Sequence, residues 1–272
     1  MHYNSFIDEL QNKNILNRFE KNTGANTNNT LSIKSSLTLY KEELLSGYLF
    51  SYIENLDRIL KNVLIPQRIV EFTGHFSCTT PICLQLCLSI QLPKNQGGFE
   101  SEAFYISTNG NFSIEKLREM ALSFVGEYSK DENNFNVETL LSHIYYTRVY
   151  DLDQLVACLF QTELIIKQNN VRLLILDSIT IPLRSVQSSE KFKTVSAVMQ
   201  ILRKLAEKYN IIVVVTNFCT TRINENEAYT VASLGDSFYH MVNSRIIFTK
   251  TETFFKAKLL KHVMHEEKEV IF

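Results

Sequence analysis

Apolar residues along this chain switch between two periods, and the switching is regular from residue 69 onward. Short runs of Ile, Val, Leu and Phe predict strands at 69–73, 103–107, 144–149, 171–176 and 211–216. Between them, apolar positions three and four apart predict helices at 81–92, 113–125, 152–167 and 191–209. Ser113 can cap the second of these helices. The runs 171–176 and 211–216 are apolar without alternation, the mark of strands covered on both faces. Near the end the rhythm changes: 244–249, 253–260 and 269–272 read as successive strands with no helices between. The pattern predicts an α/β fold, a mostly parallel sheet flanked by helices with antiparallel C-terminal strands.

Upstream, Phe6, Ile7, Leu10, Ile15, Leu16 and Phe19 form a rough helical stripe. Residues 21–37 are rich in Asn, Thr and Ser and read as a flexible linker. Residues 1–37 are therefore expected to be an arm and linker, and 38–272 one core domain. Apolar positions from Leu44 to Leu60 predict an amphipathic helical region, broken near Ser46-Gly47 and ended by Pro66.

Composition narrows the class. The 272 residues are 45% hydrophobic, enough for a full-size α/β core without a metal or disulfide staple. A net charge of -1 does not advertise nucleic acid, so any DNA contact must come from local patches. The cysteines, Cys78, Cys83, Cys87, Cys158 and Cys219, form no CxxC pair, and no histidine lies at zinc-finger spacing from them. Cys83 and Cys87 share a predicted helix face and are expected to be buried apolar side chains. Such cysteine usage suits the cytosol or nucleus. No apolar run reaches membrane-spanning length and residues 1–20 carry charges throughout, so neither a signal peptide nor a transmembrane helix is expected.

Candidate chemistry gathers at the C-terminal ends of the predicted strands. The first strand runs into Gly74-His75-Phe76-Ser77-Cys78-Thr79-Thr80-Pro81 and then a helix. A strand, a tight loop and a helix N-terminus make a phosphate cradle, and the Walker A loop writes it as G-x-x-x-x-G-K-[ST]. Gly74 alone fits. Thr79 stands at the second glycine, Thr80 at the lysine and Pro81 at the magnesium-binding hydroxyl. As plain structure, Thr80 would make a good N-cap and Pro81 a good first helical residue. Leu173-Leu-Ile-Leu-Asp177 ends a strand in a carboxylate, the Walker B position that holds magnesium; an Asp capping a strand end reads the same way. Asn109 and Phe218 end two further strands on the edge where open α/β sheets bind ligands. His143 reads as structural, and no nucleophile has a plausible base.

Together these segments resemble the RecA/RadA recombinase superfamily. The resemblance runs from about Leu56 to Phe272 and is carried by Ile69-Val-Glu-Phe-Thr-Gly74, Val171-Arg-Leu-Leu-Ile-Leu-Asp-Ser178, Thr216-Asn217 and Thr220-Thr-Arg-Ile-Asn224. The stretches 141–146 and 234–240 are similar to the C-type branch of its eukaryotic paralogues. The resemblance implies a RecA-like P-loop ATPase core in which most of the ATP machinery is replaced. Thr80 stands for the lysine, Pro81 for the magnesium hydroxyl, Asn109 for the glutamate that activates water and Phe218 for the glutamine that senses the γ-phosphate; Asp177 remains. Each such part carries several kcal/mol of transition-state stabilisation, so hydrolysis is not expected.

In this family two loops meet single-stranded DNA. Their positions here are about 184–191, offering Arg184 and Lys191, and about 218–234, offering Arg222 beside Glu225 and Glu227. His240 falls on the face where family protomers stack. The reading implied is a nuclear, and also cytoplasmic, subunit for recombination and double-strand break repair. Its expected partners are other recombinase paralogues, the strand-exchange recombinase and single-stranded DNA within a complex, with no membrane. No cofactor of its own is expected; ATP and magnesium enter only at an interface with a partner subunit. Two alternatives stay open: a DNA-dependent ATPase with an atypical site, and a stand-alone single-stranded DNA binder.

Overall fold

The computed structural model describes residues 34–128, 136–223, 228–263 and 266–272. The chain divides into two compact units, Met1–Leu45 and Ser46–Phe272. The described part of the first is mostly one helix, α1 (Ser36–Ser46), capped by the Ser35 hydroxyl on the Thr38 amide. The stripe expected at 6–19 and most of the linker expected at 21–37 lie outside the described residues.

The second unit begins with a non-helical segment, Gly47–Ile53, and then α2 (Glu54–Leu60). The expected break at Ser46-Gly47 is there, but it is longer than one bend. Asp57 causes this: its carboxylate accepts from the Ser51 amide and hydroxyl and from the Tyr52 amide, which holds the segment against the start of α2. Leu56, Ile59 and Leu60 then fall on the buried face of α2.

Strands and helices alternate from there. They are β1 (Ile69–Gly74), α3 (Phe76–Ser89), β2 (Glu102–Ser107), α4 (Ile114–Tyr128), α5 (Val137–Ser142), β3 (Ile144–Arg148), α6 (Leu152–Gln168), β4 (Val171–Asp177), α7 (Ser188–Tyr209) and β5 (Ile212–Asn217). A hairpin comes next, β6 (Cys219–Ile223) and β7 (Ala228–Ala232), then α8 (Gly235–Tyr239), β8 (Ser244–Lys250), β9 (Phe255–Lys261) and β10 (Lys268–Ile271). The main sheet has the order β10-β9-β8-β1-β5-β4-β2-β3. From β8 to β3 all neighbours are parallel, and β9 and β10 run antiparallel. This is the α/β class expected from the sequence, with β8 belonging to the parallel part.

The apolar runs take the central places. Every residue of β1 and β5 is buried, as a strand covered by helices on both faces requires. One side packs Leu84, Leu88, Leu117, Leu140, Tyr105 and Ile175 into the main core. Each such large side chain contributes about 1.5–3 kcal/mol of burial. Cys83 and Cys87 are fully buried there, as expected. Ser113 accepts from the Lys116 amide at the start of α4, the cap read from the sequence. Three elements were not anticipated: α5, α8 and the β6–β7 hairpin. The last occupies the stretch expected to be a loop at 218–234.

Candidate functional site

The strand ends carrying Gly74, Ser107, Asp177 and Asn217 lie side by side in register: Thr73 pairs with Asn217, Ser107 with Asp177, and Leu176 with Val215. The sheet therefore brings the candidate residues of four distant segments to one edge.

The segment after β1 is taken up by the start of a helix. Helix α3 starts at Phe76, with His75 as N-cap in an extended conformation. The His75 ring accepts from the Ser77 amide at 3.3 Å, and the His75 carbonyl accepts from the Cys78 and Thr79 amides at 2.9 and 3.2 Å. In a cradle such amides point at the ligand; here the chain's own atoms satisfy them. The expectation that Thr80 caps the helix and Pro81 opens it is corrected. Both lie inside α3, and Pro81 has no N–H to offer the Ser77 carbonyl one turn back. Burial overrides the local signal: Cys78, Thr79, Thr80 and Ile82 are all 5% exposed or less, and this requires the extra turn. Gly74 also has a structural reason. A Cβ there would come within 2.6 Å of the Phe248 carbonyl oxygen on the paired strand β8.

Asp177 is the centre of the site and is 1% exposed. Its Oδ2 accepts from Thr80 Oγ1 at 2.7 Å and from the Tyr105 hydroxyl at 2.6 Å. Its Oδ1 accepts from Asn109 Nδ2 at 2.8 Å and from Thr216 Oγ1 at 2.6 Å. A carboxylate has about four lone-pair positions, and these donors fill them. Thr80, at the lysine position, and Asn109, at the glutamate position, are thus both spent on Asp177. Thr216, noted in the sequence only as part of a strand end, and Tyr105, not singled out there, complete the cage; side chains so far apart in the chain give no local signal. Burial, and then the Asp177 charge, push the Tyr105 hydroxyl and the Cys83 thiol well above their usual ranges, so both stay protonated.

A second network adjoins the first. Glu71, fully buried on β1, meets Arg245 Nε of β8 at 2.5 Å and also accepts from Thr73 Oγ1 and Asn217 Nδ2. Asn217 Oδ1 accepts from Thr180 Oγ1 at 2.8 Å and from Ser233 Oγ at 2.6 Å. The pair Glu71–Arg245 was also missed, though a charge inside each of two apolar strands is its signal.

The expected DNA-facing residues are spread out. Arg184 is exposed, with its guanidinium carbon 5.6 Å from the centre of the Phe218 ring. The structure therefore joins two residues that the sequence placed in different roles. Lys191 lies in the first turn of α7, which starts at Ser188 rather than at 191. Arg222 lies on β6, opposite Tyr229 of β7; Glu225 and Glu227 fall outside the described residues. His240 is exposed at the end of α8 beside Tyr239. His143 closes α5 with its ring 4.0 Å from Glu102, a structural place. Among the described residues no cluster of His, Cys, Asp or Glu could hold a metal ion.

A six-strand parallel sheet, a helix straight after its central strand, an aspartate ending β4 and an antiparallel C-terminal pair define a RecA-type α/β core. The sequence model of the Rad51 family matches residues 48–271. The chain belongs to the Rad51 family. Among its relatives, DNA repair protein RAD51 homolog 3 of Cricetulus griseus is 29% identical over 254 residues, covering 88% of this chain and 69% of that protein. The protein of the same description from Dictyostelium discoideum is 30% identical over 214 residues, covering 73% of this chain and 56% of its own.

Proposed function

We propose that this chain is a recombinase paralogue of the C-type branch. It serves homologous recombination and double-strand break repair in the nucleus as an assembly subunit that does not hydrolyse ATP itself. Membership of the Rad51 family and the DNA-repair relatives support the repair role. One observation carries the rest: the Asp177 carboxylate is filled by Thr80, Tyr105, Asn109 and Thr216, where a working site would leave it free for a hydrated magnesium ion. Around it, the Ser77, Cys78 and Thr79 amides are turned inward and no lysine stands at position 80. In this reading the subunit works through its neighbours, other recombinase paralogues and the strand-exchange recombinase. Exposed His240 is part of a face that covers a neighbour's nucleotide, and Arg184, Lys191 and Arg222 meet single-stranded DNA within the complex.

Calorimetry with ATP, with and without magnesium, tests the central point. The expected result is binding weaker than about 1 mM and no phosphate release on adding single-stranded DNA. Micromolar, magnesium-dependent affinity, or DNA-stimulated turnover abolished by Asp177→Ala, would overturn it. Co-expression with other paralogues is expected to yield a complex by gel filtration. A chain that stays alone with each of them would refute the assembly role.

A further inference from the structure

We infer that Asp177, in place of holding a metal, fixes the β6–β7 hairpin in one position whether or not nucleotide is present. This deepens the proposed function, resting on its reading that the chain keeps no nucleotide of its own. The path is continuous in hydrogen bonds. Thr80 and Tyr105 hold Asp177 Oδ2, and Thr216 Oγ1 holds Oδ1. The Thr216 carbonyl accepts from the Ile179 amide at 3.0 Å, which positions the turn after β4. Thr108, just past β2, clamps the same turn: its Oγ1 donates to the Ser178 carbonyl at 2.6 Å and accepts from the Ser178 amide at 2.9 Å.

The next residue of that turn, Thr180, reaches the hairpin. Its hydroxyl donates to Asn217 Oδ1 at 2.8 Å and accepts from the Phe218 amide at 3.3 Å. The two ends of the hairpin are then tied together. Ser233 Oγ donates to the same Asn217 oxygen at 2.6 Å, and the Ser233 amide donates to the Phe218 carbonyl at 2.8 Å. Thr180, Asn217 and Asp177 are buried, so these bonds meet little competition from water. A hairpin coupled to a nucleotide would need a link that breaks or forms with the ligand. Here the side chains of Asp177, Thr180, Asn217 and Ser233 are already paired within the chain, while the buried Ser178 hydroxyl has no hydrogen-bond partner among the described residues.

Amide hydrogen exchange on the full chain tests the idea, read at residues 218–233 with and without ATP and magnesium. ATP is expected to change nothing. Thr180→Val should speed exchange of the hairpin amides by about tenfold or more. Thr80→Val and Tyr105→Phe touch no hairpin residue, yet each should speed the same amides by about threefold, with the amides of β4 and β5 still protected. Tyr105→Phe removes one hydroxyl and keeps the ring, so it carries the test if Thr80→Val fails to fold. Wild-type hairpin exchange in both distant variants would overturn this inference and leave the proposed function standing. Protection of the hairpin by ATP would overturn both, and the calorimetry would then show the affinity.

Discussion

Two buried carboxylates near one sheet edge are neutralised in opposite ways. Glu71 has a cation, Arg245, in the neighbouring strand, plus two neutral donors. Asp177 has four donors and no cation among them. The first arrangement is a structural ion pair, expensive to break and indifferent to ligands. The second is held by three hydroxyls and one side-chain amide. A buried carboxylate can thus be held by a cation or by neutral donors alone, and the partners decide between the two.

Variants at each carboxylate separate these roles. Arg245→Ala would leave Glu71 charged, fully buried and without a cation, so a loss of about 3–5 kcal/mol is expected in urea unfolding, enough to abolish soluble protein. Asp177→Ala strands four donors but no charge; about 2–3 kcal/mol is expected. Asp177→Asn keeps the shape, and the hydroxyls of Thr80 and Tyr105 can turn to accept from the new amide. Its cost should stay within about 1 kcal/mol, although the same change at a true magnesium ligand would abolish activity. A larger loss for Asp177→Asn than for Asp177→Ala would sink the view of Asp177 as a keystone held by neutral bonds. Pro81→Ala removes a helix-interior proline and should raise stability by about 1 kcal/mol.

A third carboxylate, Glu163, also buried, gives the smallest effect and a reference outside both networks. Burial pushes its pKa up, but hydrogen bonds from Lys208, Tyr209 and Lys167 outweigh that and hold it down at about 2. Its folded value lies below the unfolded one, so its contribution is present above the ordinary glutamate range and is lost as pH falls toward 2. Glu163→Gln should flatten that part of the acid-unfolding curve, lowering the unfolding midpoint modestly at neutral pH and leaving it nearly unchanged near pH 2.

Much of the scaffold was legible. Unbroken apolar runs marked β4 and β5 as central strands, because a strand covered on both faces has no use for alternation. The tip chemistry was legible only as residue types. Thr80-Pro81 is a sound helix-start signal read locally; it failed because burial of Cys78 and Ile82 favoured one more turn and His75 could cap it. The β6–β7 hairpin was passed over because a family analogy labelled 218–234 as loop, although Thr220, Thr221 and Ile223, and then Tyr229, Thr230 and Val231, carry strand propensity. The cage around Asp177 draws on positions 80, 105, 109 and 216, and no spacing rule reaches across such distances.

The early start of α3 works as a ratchet. Changing Thr80 to lysine alone would set an ammonium group beside Asp177 inside a helix whose first amides already face their own chain. That would create an internal ion pair and leave no mouth for an anion. On the proposed reading, restoring the loop one residue at a time would meet a barrier at each step, because the helical turn, rather than any one side chain, claims the amides a phosphate chain would need.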